Sequence, residues 1–228
     1  MWAELAFVLG SYILGSLPLM YIMGRLRGID LREYEDMHIA TWRNVGHLQG
    51  FIGVVFDFLK GVIAVLIARE VLHFGVGWVA VAGVVAVVGQ MWPIFLKFDG
   101  ERGNSTGLAM SGALATYAML IALIPVTIGF AVRTIPRFRQ PNQTLGKKLE
   151  FGGPPSLSLP LGMAVAFAGL PLAAWGVGQP REVVFAFVAL FVLIMVRRVT
   201  AGLSEEMRKP SWRNSMLLNR LLFDRSEI

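Results

Sequence analysis

The sequence contains no cysteine, only three histidines and few charged residues. The absence of cysteine excludes disulfides and thiol chemistry. The histidines, His38, His47 and His73, are too scattered along the chain to suggest a metal cluster, so neither a metal nor a cofactor is expected. Charged residues make up 16% of the chain, where a soluble domain has about a quarter. This scarcity of charge argues against a soluble protein.

The abundant residues are apolar. They make up 55% of the 228 residues, and the mean hydropathy is +0.62. Most apolar stretches are long enough for the ~20 residues that a helix needs to cross a bilayer. They lie at 2–24, 51–73, 77–96, 105–132, 157–178 and 182–196. The first has no basic region before it and no A-x-A-like cleavage site after it, so we expect a retained helix. The sequence predicts a single all-α integral membrane domain over residues 1–228.

The basic residues predict how the chain is threaded. The stretch 105–132 is either one overlong helix or two short crossings folded back near 115–119. Two crossings place 18 of the 21 Lys and Arg residues on one side and only Arg69 and Arg181 on the other, with Lys60 inside a helix. Cytoplasmic loops are rich in Lys and Arg, so we expect about seven crossings, with the N-terminus outside and the C-terminus cytoplasmic. The net charge of +6 fits such loops and anionic lipid, and no nucleic-acid partner is expected.

Two polar features lie inside predicted helices. Gly15, Ser16 and Pro18 predict close packing or a kink in the first helix, because neighbouring helices can satisfy the backbone bond that proline removes. Asp57 and Lys60 are three residues apart, which places them on one helix face. Buried charges are expensive unless they are paired, so this face should look inward. There the two side chains form a structural ion pair or take part directly in chemistry.

The loop 33–46 brings mixed polar side chains to the predicted cytoplasmic surface. They are Glu33, Glu35, Asp36, His38, Arg43 and Asn44. Carboxylate, imidazole and guanidinium groups together can do acid/base work or grip a phosphate. A solvated loop with internal ion pairs explains the same composition.

The segment FLKFDGERGNSTG, residues 95–107, lies between two very apolar regions. Its glycines let the backbone turn and approach a ligand closely. Its polar side chains can donate hydrogen bonds. If Ser105 and Thr106 begin the next helix, free N–H groups face the loop and form an anion site, for which phosphate is the natural ligand. The spacing fits neither a Walker loop nor a Rossmann turn. A flexible linker is the alternative interpretation.

In order along the chain, these segments resemble the bacterial membrane acyl-phosphate:glycerol-3-phosphate acyltransferases, the PlsY family. The similarity lies in GSLP (15–18), GIDLRE (28–33), DFLKG (57–61) and, above all, GQMWPIFLKFDGERGNSTG (89–107). The last resembles the family pattern G-H-x-x-P-x-F-L-K-F-x-G-G-K-G-x-A-T-G. The resemblance implies a seven-helix fold and transfer of an acyl group from acyl phosphate to glycerol 3-phosphate, without metal or coenzyme A. The product, lysophosphatidate, belongs to phospholipid synthesis.

The resemblance also implies where the protein acts and with which residues. The expected location is the cell inner (plasma) membrane, with the active face cytoplasmic, and the expected partners are the two substrates and membrane lipids. Arg43 and Arg102 are expected to clamp anions, and Asp36 or His38 is the candidate general base. The predicted substrate- and phosphate-binding set is Asn44, Lys60, Gly100, Arg102, Gly103, Asn104, Ser105, Thr106 and Arg198.

Several residues depart from the family pattern. Gln90 replaces a histidine, Glu101 a glycine and Arg102 a lysine, while His38 stands where an asparagine is usual and Asp36 where a serine is. Glu101 adds negative charge where an anion should sit, unless it pairs with a basic neighbour.

The C-terminal motif of the family is only faintly present. Arg197 or Arg198 matches its first arginine, and its histidine and asparagine have no counterpart. The departures leave two rivals open. One is a non-catalytic membrane protein that binds a phospholipid or a phosphorylated metabolite, and the other is an enzyme acting on a different phospho-substrate.

Overall fold

The computed structural model describes residues 1–34, 37–138, 157–208 and 214–224, which contain helices and no strand. The α-helices are α1 (Trp2–Ser16), α2 (Leu19–Arg25), α3 (Met37–Ala40), α4 (His47–Leu66), α5 (Val76–Met91), α6 (Asn104–Leu114), α7 (Thr116–Phe138), α8 (Ser158–Gly176), α9 (Arg181–Thr200), α10 (Leu203–Glu206) and α11 (Ser215–Phe223). Single π-helical turns follow α3 and α4, at Thr41–Val45 and Ile67–Val71. Short 3-10 turns lie at Leu31–Glu33 and Ile94–Leu96. The predicted all-α fold is confirmed.

Six helical segments in the described chain are long and apolar enough to cross a membrane. They are Trp2–Arg25, His47–Val71, Val76–Leu96, Thr116–Pro136, Ser158–Gly176 and Arg181–Thr200. The helix is interrupted at Ala115, which separates α6 from α7 and falls within the predicted fold-back at 115–119. With 11 residues, α6 is shorter than the other crossings.

Contacts between loops define two ends of the bundle. At one, which we call the loop end, residues 97–103 contact His38 and Arg197. At the other, the far end, Arg69 Nη1 donates to the Ala113 carbonyl at 2.9 Å, one residue before α6 finishes. Short as it is, α6 therefore joins the two ends, and the described helices pass through the bundle seven times. Which end faces the cytoplasm stays a prediction.

The first crossing is broken and closely packed, as predicted from its glycine, serine and proline. Leu17 is extended ahead of Pro18 and separates α1 from α2. A Cβ added to Gly15 would lie 2.0 Å from the carbonyl oxygen of Ala86 on α5. Small residues let helix backbones approach closely inside membranes. The kink and the close α1–α5 contact set the position of the chain that enters the loop end.

Large apolar side chains lie on the outside of the bundle and an ion pair lies inside it, the reverse of the arrangement in a soluble protein. Large apolar side chains such as Trp2, Leu172 and Trp175 are exposed. Asp57 and Lys60 are each 3% exposed, and Lys60 Nζ lies 2.7 Å from Asp57 Oδ1. The predicted inward-facing ion pair on α4 is confirmed. Such a distribution suits a bundle surrounded by lipid, where charge is tolerated only inside and in pairs.

We expect Gly15→Ala to destabilise the protein by about 1–3 kcal/mol, because the new methyl group overpacks the α1–α5 contact. The measurement is thermal unfolding in detergent. Gly10→Ala is the matched control, since a Cβ at Gly10 on the same helix meets nothing within 4 Å. Equal melting temperatures for the two variants would contradict the close packing.

We expect Lys60→Met to lower the free energy of unfolding by about 3–5 kcal/mol, because it leaves the Asp57 carboxylate buried without its ammonium partner. Adding Asp57→Asn should recover most of that loss, since the uncompensated charge is then gone. Denaturation of both variants in detergent measures the effect. A double variant no more stable than Lys60→Met would show that the pair does not govern stability here.

Candidate active site

The centre of the loop end is residues 97–103, here called the glycine loop. It leaves α5 through Pro93 and the 3-10 turn and enters α6 at Asn104. Lys97 and Phe98 have φ of 55° and 64°, and Gly103, the residue before α6, has φ of 74°. Residues other than glycine rarely adopt this left-handed backbone conformation, which glycine adopts without steric strain. The loop is therefore a sharply bent segment that needs support from outside itself.

That support reaches the loop's main chain from two helices. On the α5 side, the Glu101 N–H donates to the Gln90 carbonyl and the Gly100 N–H to the Met91 carbonyl, both at 3.2 Å. On the α9 side, Arg197 Nε donates to the Glu101 carbonyl at 3.2 Å. The Nη2 of Arg197 also donates to the Gly100 carbonyl and, at 2.7 Å, to Asp99 Oδ1. The loop is thus clamped between α5 and α9.

The start of α6 lies directly behind this clamp. The first backbone bond of the helix runs from the Gly107 N–H to the Gly103 carbonyl at 2.8 Å. The N–H groups of residues 104–106 consequently have no partner within the helix and carry the positive end of its dipole. Thr106 is buried, and its hydroxyl donates to the Asp57 carbonyl at 2.6 Å. Asn104 Oδ1 is buried without a hydrogen-bond partner. The helix start predicted at 105–106 is confirmed to within one residue.

Glu101 turns its carboxylate into a buried polar cluster. Its Oε2 lies 2.8 Å from His38 Nε2 on α3 and 3.1 Å from Gln90 Nε2 on α5. His38 Nε2 also lies 3.7 Å from Asp57 Oδ2, which links the cluster to the Asp57–Lys60 pair. Two departures from the family pattern, His38 and Gln90, therefore both contact a third, Glu101. Glu101 has the basic neighbour that its position requires.

The chemistry of Glu101 follows from these contacts. Burial favours the neutral acid, but the charge and hydrogen bond of His38, the charge of Lys60 and a hydrogen bond with Asp57 together hold the pKa of Glu101 below its ordinary value. The carboxylate is therefore ionised at neutral pH. One ligand atom from each of His38, Asp57 and Glu101 lies within 4.8 Å of the others, so these three could hold a metal ion. Lys60 already supplies positive charge to Asp57, and the absence of a metal stays a prediction.

Two arginines of the predicted phosphate-binding set, Arg102 and Arg198, have different surroundings. Arg102 Nε donates to Asp224 Oδ1 at 2.7 Å, directly after α11. Arg198 is 1% exposed, and its Nη1 donates to the Pro160 and Leu221 carbonyls at 3.1 and 3.2 Å. Arg198 therefore anchors α11 against α8, while its neighbour Arg197 reaches the glycine loop. Adjacent residues on a helix point about 100° apart, so the two arginines face different neighbours. The sequence identified the pair but did not show which arginine faces the glycine loop.

The remaining predicted residues lie in the first loop. Arg43 and Asn44 are exposed on the turn Thr41–Val45. Of the described candidates in that loop, His38 contacts the glycine loop through Glu101. Asp36 lies outside the described residues. Sequence reasoning missed Asp224, which directly follows the short helix α11 and lies in no recognisable motif.

A cleft opens beside the cluster. Its volume is only about 20 Å³, and it opens to solvent. Its polar wall contains Lys60, Gln90 and Glu101, and its apolar wall is the broken segment between α1 and α2 around Leu17 and Pro18. A polar wall facing an apolar wall suits a molecule that has both a charged group and an acyl chain.

Comparison with known proteins shows the family and the fold of the chain. The family model described as "Glycerol-3-phosphate acyltransferase" matches residues 5–204. A glycerol-3-phosphate acyltransferase of Endomicrobium trichonymphae is 30% identical over 88% of this chain and 90% of its own length. Glycerol-3-phosphate acyltransferase 4 of Dehalococcoides mccartyi is 29% identical over 97% of this chain and 88% of its own.

The fold is also that of a solved structure. The crystal structure of PlsY (YgiH), an integral membrane glycerol 3-phosphate acyltransferase, in its glycerol 3-phosphate form superposes with a TM-score of 0.67. The match covers 95% of this chain and 98% of that one at 23% identity, so it speaks for the fold. Because the family model spans most of the chain and relatives align along nearly its full length, the protein belongs to the glycerol-3-phosphate acyltransferase family.

Proposed function

We propose that this protein is an acyl-phosphate-dependent glycerol-3-phosphate acyltransferase of phospholipid synthesis. The hydroxyl oxygen at carbon 1 of glycerol 3-phosphate attacks the acyl carbon of acyl phosphate, and an ester bond forms. The bond between that carbon and the phosphate oxygen breaks, and the oxygen keeps the electron pair. The hydroxyl proton ends on the departing phosphate, so the products are lysophosphatidate and hydrogen phosphate.

One observation carries the proposal: the free N–H end of α6 lies behind a glycine loop clamped on both sides. Donors fixed before the reaction stabilise a developing phosphate charge without having to reorganise. The loop borders a cleft whose other wall is apolar, which is where an acyl chain would leave towards lipid. The N–H groups of residues 104–106 and the Ser105 hydroxyl are the donors that we assign to phosphate.

The charged candidates take supporting roles. Arg102 lies in the glycine loop, and we assign it to the substrate phosphate, which takes over the hydrogen bond now accepted by Asp224. Arg43 and Asn44, exposed on the first loop, are assigned to the second anionic substrate. His38 has its Nε2 engaged by Glu101 and is poorly placed to accept a proton. Proton transfer to the leaving phosphate avoids the need for that base.

We place the active face at the cytoplasmic side of the cell inner (plasma) membrane. His38, the glycine loop, Arg197 and Asp224 meet at one end of the bundle. That end carries the loops in which 18 of the 21 basic residues fall under the predicted threading. Positive loops remain in the cytoplasm during insertion, and both proposed substrates are anions attracted by such a surface.

Purified wild-type protein should release phosphate and form lysophosphatidate when given a long-chain acyl phosphate and glycerol 3-phosphate. Arg102→Ala should lower kcat/KM by about 10- to 100-fold, because a charge-assisted hydrogen bond is worth about 1.5–3 kcal/mol. Arg102→Lys keeps the charge and should lose less. Folded wild type that is stabilised by glycerol 3-phosphate but makes no product would favour the non-catalytic rival, and product only with another acceptor would favour a different phospho-substrate.

Asp224→Asn should lower the KM of the substrate whose phosphate Arg102 binds by about two- to fivefold, since a partly exposed ion pair is worth up to about 1 kcal/mol. Initial rates at varied concentrations of each substrate measure the change. Glu33→Gln, an exposed carboxylate on the first loop, is the control for a general change in charge. An unchanged or higher KM in Asp224→Asn would remove Arg102 from the phosphate site.

A further inference from the structure

We propose that Glu101 is a positioning residue: held by His38 and Gln90, its side chain fixes the glycine loop at the start of α6 in the shape that binds phosphate. The inference rests on the proposed function and extends it to a residue that departs from the family pattern. Glu101 itself does not touch the substrate. It acts through the main chain of its own loop.

Four separate contacts converge on this one residue. Its N–H donates to the Gln90 carbonyl and its carbonyl accepts from Arg197 Nε, both at 3.2 Å. Its Oε2 is 2.8 Å from His38 Nε2 and 3.1 Å from Gln90 Nε2. Through these contacts Glu101 joins the loop to α3, α5 and α9 at once. Asn104, the first residue of α6, follows only three residues later.

The loop needs such an anchor because of its backbone. Lys97 and Phe98 both have positive φ, which costs about 1–2 kcal/mol for each such residue. Strained segments persist only where the surrounding structure over-determines them. The side-chain contacts of Glu101 connect the loop to His38 on α3 and to Gln90 on α5. Without them the loop is expected to relax and to move the N–H groups of α6 relative to the cleft.

The charges around Glu101 explain why its negative charge does not repel an anion bound nearby. His38 on α3 and Lys60 on α4 are the basic groups of the cluster, and Asp57 on α4 is the second carboxylate. Arg197 on α9 approaches from the main-chain side. The carboxylate is thus compensated within the protein and occupied by its own hydrogen bonds, so it does not have to compete for the donors at the start of α6.

The experiment compares wild type, Glu101→Gln and Glu101→Ala in detergent, with a long-chain acyl phosphate and glycerol 3-phosphate as substrates. Misplacing a binding group by about 1 Å can cost 10²-fold, so Glu101→Ala should raise the KM of one phosphate-bearing substrate by about 10- to 100-fold. Glu101→Gln keeps one acceptor oxygen and should lie between. Gln90→Leu removes one partner of the carboxylate and should shift the same KM in the same direction, by less.

The split between KM and stability decides the outcome. A residue that only supports the fold would lower the melting temperature and the apparent kcat while leaving both KM values unchanged, and that result overturns the inference. Glu70→Gln is the matched control, because Glu70 is an exposed carboxylate at the far end that pairs with Arg69. It should match wild type in every parameter.

A second readout separates this inference from the proposed function. Inorganic phosphate should raise the melting temperature of wild type, and Glu101→Ala should need at least tenfold more phosphate for the same rise. This holds even if wild type makes no lysophosphatidate, in which case the proposed function fails and the positioning role stands. Equal phosphate dependence of the two proteins overturns the positioning role, whether or not the wild type is active.

Discussion

The structure depends on one constraint: charge placed inside an apolar bundle must be compensated where it sits. Lipid offers no water to an exposed carboxylate or ammonium, so a lone buried charge would cost several kcal/mol. Asp57 and Lys60 meet this constraint on a single helix. His38 and Glu101 meet it between a short helix and a loop. Because these contacts adjoin, the constraint also determines which elements must touch at the loop end.

The site is built on this compensated cluster and is not an addition to it. The glycine loop is bent by residues with positive φ and is held by α5, by α9 and by the carboxylate of Glu101. The start of α6 inherits its position from that loop. Main-chain hydrogen bonds to the end of α5 and the Arg197 side chain, which donates to two carbonyls of the loop, hold a flexible sequence such as GERGN in one shape. The fixed shape of the glycine loop therefore comes from contacts with neighbouring helices and owes little to the loop itself.

Arginines at the end of α9 extend the same logic to the C-terminal segment. Arg197 faces the glycine loop, and Arg198 faces the carbonyls at the end of α11. Arg220 on α11 donates back to the Val199 carbonyl at 3.0 Å. Asp224, just beyond α11, then accepts from Arg102. Helix α11 is thus connected to the glycine loop by charged contacts, and its position and the electrostatics of Arg102 are linked.

The sequence by itself determined the membrane class, the helical fold, the break near 115, the kink at Pro18 and the inward pairing of Asp57 with Lys60. Each of these follows from local chemistry, namely hydrophobic length, the missing N–H of proline and the three-residue spacing on a helix. Only the tertiary structure decided that Glu101 meets His38 and Gln90, that Arg102 meets Asp224, and that Arg197 reaches the loop. These partners are distant in sequence, and nothing local sets the angle at which two helices cross. The physical reason is that a buried charge requires a partner, whereas the packing of the helices determines which residue is close enough to be that partner.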